Sequence, residues 1–94
     1  MEEYWVYIIG NKDSEVVYVG MTNNLRRRIA EHKEGHGSVL TAKYNVNRLL
    51  YYDGFQTAGQ AIAKEKQLKN WHREWKLNLI KEFNPEFRDL FEDI

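Results

Sequence analysis

Tyr7, Tyr18, Arg28, His32 and Glu65 are the side chains of this sequence whose types and spacing could do chemistry together. The two tyrosines sit in separate β-branched, aromatic runs. Arg28 follows Tyr18 by ten residues and His32 by four more, and Glu65 is the lone acid of a later lysine-rich helix. A guanidinium grips phosphate through two parallel hydrogen bonds. An imidazole can accept or relay a proton, or simply pack against its own helix. A carboxylate on a packed helical stripe is costly unless it is paired or metal-bound. Cysteine is absent, which excludes disulfide scaffolds, thiolate zinc sites and thiol nucleophiles. The three scattered histidines lack the ligand spacing of a zinc site.

The formal charge is zero, but it is unevenly spread. Residues 23–48 hold Arg26, Arg27, Arg28, Lys33, Lys43 and Arg48 against Glu31 and Glu34. Residues 64–81 hold Lys64, Lys66, Lys69, Arg73, Lys76 and Lys81 against Glu65 and Glu74, and both ends of the chain are acidic. If the two basic segments share a face, that face suits phosphate; the alternative is a pair of ordinary solvated helix faces. With 94 residues, 43% hydrophobic and 14% aromatic, the chain is expected to be one domain, residues 1–94, around a single compact core. No apolar run nears the roughly 20 residues of a membrane helix, and the start is not that of a secretory signal. A soluble cytoplasmic protein is the expectation.

The elements that must position these residues follow from pattern. Residues 4–9 and 15–20 read as two strands joined by turn chemistry at 10–14, hence an antiparallel hairpin. Thr22, Asn23 or Asn24 can cap a helix with Leu25, Ile29 and His32 on one side, ending near Gly35 or Gly37. Arg28 lies on that inner side, whereas Arg26 should point to solvent. Residues 36–47 are polar and turn-prone and read as an ordered loop. Residues 48–53 form a third strand closed by Gly54. A helix over 57–70 carries Ala58, Ala61, Ile62 and Leu68, and places Glu65 on the face of Ala61, Leu68 and His72. Glu65 could equally sit at the edge of that stripe and pair with a lysine. Another helix over 72–83 uses Trp75, Leu79, Ile80 and Phe83 before Pro85 stops it. One further turn is expected around Phe87, Leu90 and Phe91. The fold class is α/β (α+β), a three-stranded antiparallel sheet flanked by helices in the order β-β-α-β-α-α.

Trp5-Val6-Tyr7, Tyr18-Val19-Gly20, the segment 21–28 ending in Arg28, and the segment 65–71 beginning with Glu65 occur in an order and at intervals that resemble the GIY-YIG nuclease superfamily. The length and the Asn84-Pro85 ending resemble its small stand-alone bacterial members, related to the N-terminal nuclease domain of the bacterial excinuclease. The resemblance implies a metal-dependent DNA endonuclease that hydrolyses phosphodiester bonds, structure-selective and linked to repair or processing. Glu65 would supply a hard oxygen ligand to Mg²⁺ or Mn²⁺. Arg28 would grip the phosphate and stabilise the charge of the transition state. Tyr18 would activate the attacking water, which requires lowering a phenol pKa whose reference is about 10. Tyr7 would hold Tyr18 or the phosphate, and His32 would relay a proton. Gly20 would let the substrate backbone approach, and Arg26, Arg27, Lys43, Lys66 and Lys69 would contact nucleic acid. The implied partner is duplex, flap or branched DNA, bound by a monomer with no small-molecule cofactor and no membrane association.

Two positions depart from the family pattern. Trp5 stands where the first motif opens with glycine, and Met21 where excinuclease-type members carry a lysine. The asparagine that follows the metal-binding helix in the family has two counterparts, Asn78 and Asn84. A catalytically weak or inactive nucleic-acid-binding module of the same fold is the alternative, and a structural partner with no nucleic-acid role a third.

Overall fold

A computed structural model describes residues 3–94. Its centre is a three-stranded antiparallel sheet in the order β2-β1-β3, formed by β1 (Tyr4–Gly10), β2 (Val17–Thr22) and β3 (Arg48–Phe55). Side chains alternate along β1, so Val6 and Ile8 enter one face while Tyr7 and Ile9 enter the other. Both faces are covered, which is why this strand is a nearly continuous apolar run. One face packs Val6, Ile8, Val19, Leu50 and Tyr51 against Ala61 and Leu68 of α3 (Ala58–Asn70) and Ile80 of α4 (Arg73–Phe83). The other packs Tyr7, Ile9 and Leu49 against Leu25 and Ile29 of α1 (Leu25–Lys33), with Val46 and Leu90 closing the layer.

The caps are local and legible. Asn24 accepts from Arg27 N–H to start α1, and Thr57 accepts from Gln60 N–H to start α3. Gly35, with φ of +81°, provides the left-handed residue just beyond the end of α1. The tail folds back onto the α1 side. The Asp89 carboxylate pairs with Lys33 and accepts from the backbone N–H groups of Leu49 and Phe91. Burial raises its pKa, but these donors outweigh burial and hold the carboxyl below its usual range.

The structure corrects several expectations. β2 starts at Val17, because Ser14 takes a positive φ and Val16 N–H is held by the Asn11 side chain, leaving residues 15 and 16 in the turn. Residues 36–47 are not all loop: α2 (Val39–Lys43) lies within them, capped by Ser38. Its Val39 and Leu40 point outward and only Thr41 is buried, so no apolar period announces it. In the stripe of α4 Ile80 is buried and Leu79 packs against the same core, while Trp75 and Phe83 are about half exposed. His72 does not share the face of Glu65, since α3 ends at Asn70 and His72 is the exposed N-cap residue of α4. The turn at the tail is a 3₁₀ turn, Phe91–Asp93. Among the described residues no helix is long and apolar enough to cross a membrane.

Candidate active site

The site begins where β1 and β2 face α1. Tyr7 stands directly opposite Gly20 in the sheet, and its ring lies over that glycine: a Cβ on Gly20 would fall on the Tyr7 hydroxyl and ring carbons. The absent side chain at position 20 thus makes room for Tyr7, and Gly20 itself is buried. That differs from the expectation of an open approach for substrate. Buried to 1% exposure, Tyr7 is hydrogen-bonded through its hydroxyl to His32 Nε2 at 2.9 Å, with the two rings edge to face. His32 comes from the inner side of α1 and is as buried as the core around it.

Two residues outside the candidate set, Thr41 and the Gly37 expected only as a possible helix end, complete the histidine's surroundings. Thr41 of α2 places its hydroxyl 3.2 Å from His32 Nδ1. Gly37 packs beneath the imidazole, where a Cβ would collide with the ring. The polarity of residues 36–47 is the only signal for either.

Arg28 lies one helical turn before His32 and is 29% exposed at its side chain. It donates to Glu31 at 3.0 Å and to the Gly37 carbonyl at 2.8 Å, so its guanidinium is braced at the mouth of the Tyr7–His32 pair. It acts electrostatically on both. Burial raises the Tyr7 pKa more than Arg28 lowers it, so the phenol stays protonated at neutral pH. Burial first, then the positive charge of Arg28, depresses the His32 pKa to about 4, so the imidazole is neutral.

The remaining candidates approach from β2 and α3. The Tyr18 ring centre lies 5.9 Å from that of His32 and the same distance from Lys69 Nζ, which sits over its face. Lys69 pairs in turn with Glu65 at 3.4 Å. The Glu65 side chain is 22% exposed, flanks the buried Ala61 and Leu68, and is near enough for its charge to act on Tyr7. Of the two readings of Glu65, the geometry matches the second: it edges the packed stripe and pairs with a lysine. Tyr7, Tyr18, Arg28, His32 and Glu65 gather at the β2 edge of the sheet, with Lys69 between Tyr18 and Glu65.

The outer cations divide. Arg27 and Lys66 are exposed, Arg27 with Glu31 at 3.9 Å. Lys43 is exposed on α2 with its ammonium 5.4 Å from the Tyr44 ring centre. Arg26 is exposed, as expected, but it is not free. Its guanidinium donates to the carbonyls of Phe91 and Ile94 and stacks 4.5 Å from the Phe91 ring, which commits it to holding the tail. Asn84 is also spoken for, buried with its side-chain amide donating to the carbonyls of Leu50 and Arg88. Asn78 is exposed on α4.

The donor set decides what metal it could suit. Among the described residues no group of three or more His, Asp or Glu side chains gathers as a cage. A single carboxylate, 22% exposed and paired with Lys69, could serve Mg²⁺ or Mn²⁺, which keeps several waters and takes one or two carboxylates plus substrate phosphate. Glu65 fits that role.

A family model described as "GIY-YIG catalytic domain" matches residues 3–78. A UPF0213 protein of Staphylococcus haemolyticus is 34% identical over 82 residues, covering 87% of this chain and 99% of its own length. One from Staphylococcus saprophyticus is 32% identical with the same coverage of both chains. One from Haloquadratum walsbyi is 34% identical over 83 residues, covering 87% of this chain and 92% of its own. No solved structure is a significant match. The three-stranded sheet, the order of its helices and these matches together establish that the chain belongs to the GIY-YIG nuclease family.

Proposed function

We propose that this chain, acting as one nuclease domain over residues 1–94, is a divalent-metal-dependent endonuclease that hydrolyses phosphodiester bonds in DNA. The observation that carries the reading is the convergence of a phenol–imidazole pair, a braced guanidinium and a partly buried carboxylate at the β2 edge of the sheet. Glu65 would hold Mg²⁺ or Mn²⁺, which when bound supplies Lewis-acid stabilisation to the reacting phosphate. Arg28, already oriented by Glu31 and Gly37, offers its outward N–H groups to a phosphate oxygen and stabilises the charge that grows there. Tyr18 would take the proton of the attacking water. Tyr7 and His32 form the floor that fixes the reacting groups and excludes water beneath them.

The exposed Arg27, Lys66 and Lys69 suit phosphate contacts, which position a nucleic acid without reading its sequence. Contacts of this kind favour selection by DNA shape, and on this reading the chain acts in repair or processing as a cytoplasmic monomer. The test is cleavage of duplex, single-stranded, flap and junction DNA with Mg²⁺ or Mn²⁺. The wild type should cleave the branched forms best. Tyr18→Phe, which deletes one hydroxyl, should lose most of the rate while keeping its melting temperature. Full activity in Tyr18→Phe would remove Tyr18 from the proton transfer.

A further inference from the structure

The buried polar groups of the site form an unbroken chain whose proton positions follow by elimination. The Tyr7 hydroxyl is buried, so its proton needs a protein acceptor. His32 Nε2, 2.9 Å away, is that acceptor, because the guanidinium of Arg28 beside it can only donate. Nε2 must then carry a lone pair, and the proton of the neutral imidazole resides on Nδ1. Nδ1 faces Thr41 Oγ1 at 3.2 Å, so the threonine oxygen accepts. The proton of Thr41 passes on to Ser38, whose carbonyl oxygen lies at 3.3 Å and whose hydroxyl oxygen lies at 2.9 Å. Ser38 is fixed in its turn as the N-cap of α2, accepting from Thr41 N–H at 3.1 Å.

We propose that Thr41 is a positioning residue: its hydroxyl accepts from His32 Nδ1–H and fixes the tautomer whose Nε2 takes the hydrogen bond of the Tyr7 phenol. The lone pairs of the Tyr7 oxygen are then turned toward Arg28 and the site. In this state Tyr7 accepts hydrogen bonds from the site and does not offer its proton to a phosphate. The short helix α2 thus orients a histidine it does not contain, at a distance of nine residues in sequence. Neutral imidazole is what this pattern needs, and burial keeps His32 in that form. The catalytic consequence rests on the nuclease reading; the tautomer does not.

The experiment is a two-bond proton–nitrogen correlation spectrum of ¹⁵N-histidine-labelled protein at neutral pH, which reports the protonated ring nitrogen directly. Wild type should show His32 as Nδ1–H, and Thr41→Ser, which keeps the hydroxyl, should show the same pattern and near-normal cleavage. Thr41→Val keeps the shape but removes the acceptor. It should lose the Nδ1–H pattern and cleave about 10- to 100-fold more slowly, by analogy with the cost of removing the hydrogen-bond partner that orients a metal-bound histidine. An Nε2–H pattern in wild type, or an unchanged pattern in Thr41→Val, would overturn the proposal. An Nδ1–H pattern in a protein that cleaves no DNA would uphold the tautomer and defeat the nuclease reading instead. Should Thr41→Val fail to fold, the wild-type and Thr41→Ser spectra decide.

Discussion

Acid should destabilise this protein through His32 before it does so through the paired carboxylate of Asp89. The His32 pKa falls from 6.5 to about 4 on folding, because burial and the charge of Arg28 both oppose the imidazolium. Between these values the unfolded chain binds a proton that the folded chain refuses, so stability rises with pH across this window. It is therefore lost as pH falls from about 6.5 to 4, and levels off below that once both states are protonated. At about 1.4 kcal/mol per unit, the full loss is about 3 kcal/mol. A domain of this size is held by on the order of 5–12 kcal/mol, so the effect is readily measured. Asp89 behaves in the opposite sense to a raised carboxyl: its folded pKa is depressed, so its contribution is lost only as pH drops below the ordinary carboxylate range. Urea unfolding at several pH values between about 4 and 7, for wild type and His32→Gln, isolates the histidine as the difference in slope. Wild type should lose about 3 kcal/mol more than the variant across the window. Parallel slopes, or a folded-state His32 that titrates near its ordinary value, would refute the argument that burial keeps this imidazole neutral.

Gly20→Ala should cost about 2 kcal/mol or more in chemical denaturation and abolish cleavage, because its methyl group falls on the Tyr7 phenol and breaks the bond to His32. A stable, active Gly20→Ala protein would show that Tyr7 has another place to go. Arg28→Ala should lose far more cleavage than Arg27→Ala, since Arg28 is braced beside Tyr7 and Arg27 is exposed. Both should weaken DNA binding modestly and reduce its salt dependence. Equal catalytic losses from the two would mean a diffuse phosphate patch.

Much of the fold is legible along the chain because the cues are local. β-Branched and aromatic runs mark three strands, although β2 and β3 run on past Gly20 and Gly54 to Thr22 and Phe55, and Asn24 and Thr57 mark helix starts that hydrogen-bond as side-chain caps do. The inner side of α1 follows from Leu25, Ile29 and His32 at helical spacing, all three of which are buried. What escapes depends on contacts distant in sequence. Helix α2 has five residues and buries only a threonine, so it offers no period. The partner of Arg26 lies 68 residues away at Ile94, which no spacing rule reaches. Gly20 reads in the sequence as a place without a side chain, but what fills the space is Tyr7 from the neighbouring strand, visible only once the register is known.

Whether Glu65 supplies the metal ligand of a phosphodiester-hydrolysing site is the point on which the proposed activity turns. Glu65→Gln is the sharpest probe, since it keeps the shape and removes the charge. The pairing it breaks with Lys69 is partly exposed and worth only about 0.3–0.5 kcal/mol. Cleavage of branched DNA should be followed as a function of Mg²⁺ and Mn²⁺ concentration for wild type and Glu65→Gln, at matched folded fractions. Metal-dependent cleavage in wild type, and its loss in the variant at every metal concentration, is the expected result. Equal metal-dependent cleavage by the two proteins would contradict a ligand role for Glu65.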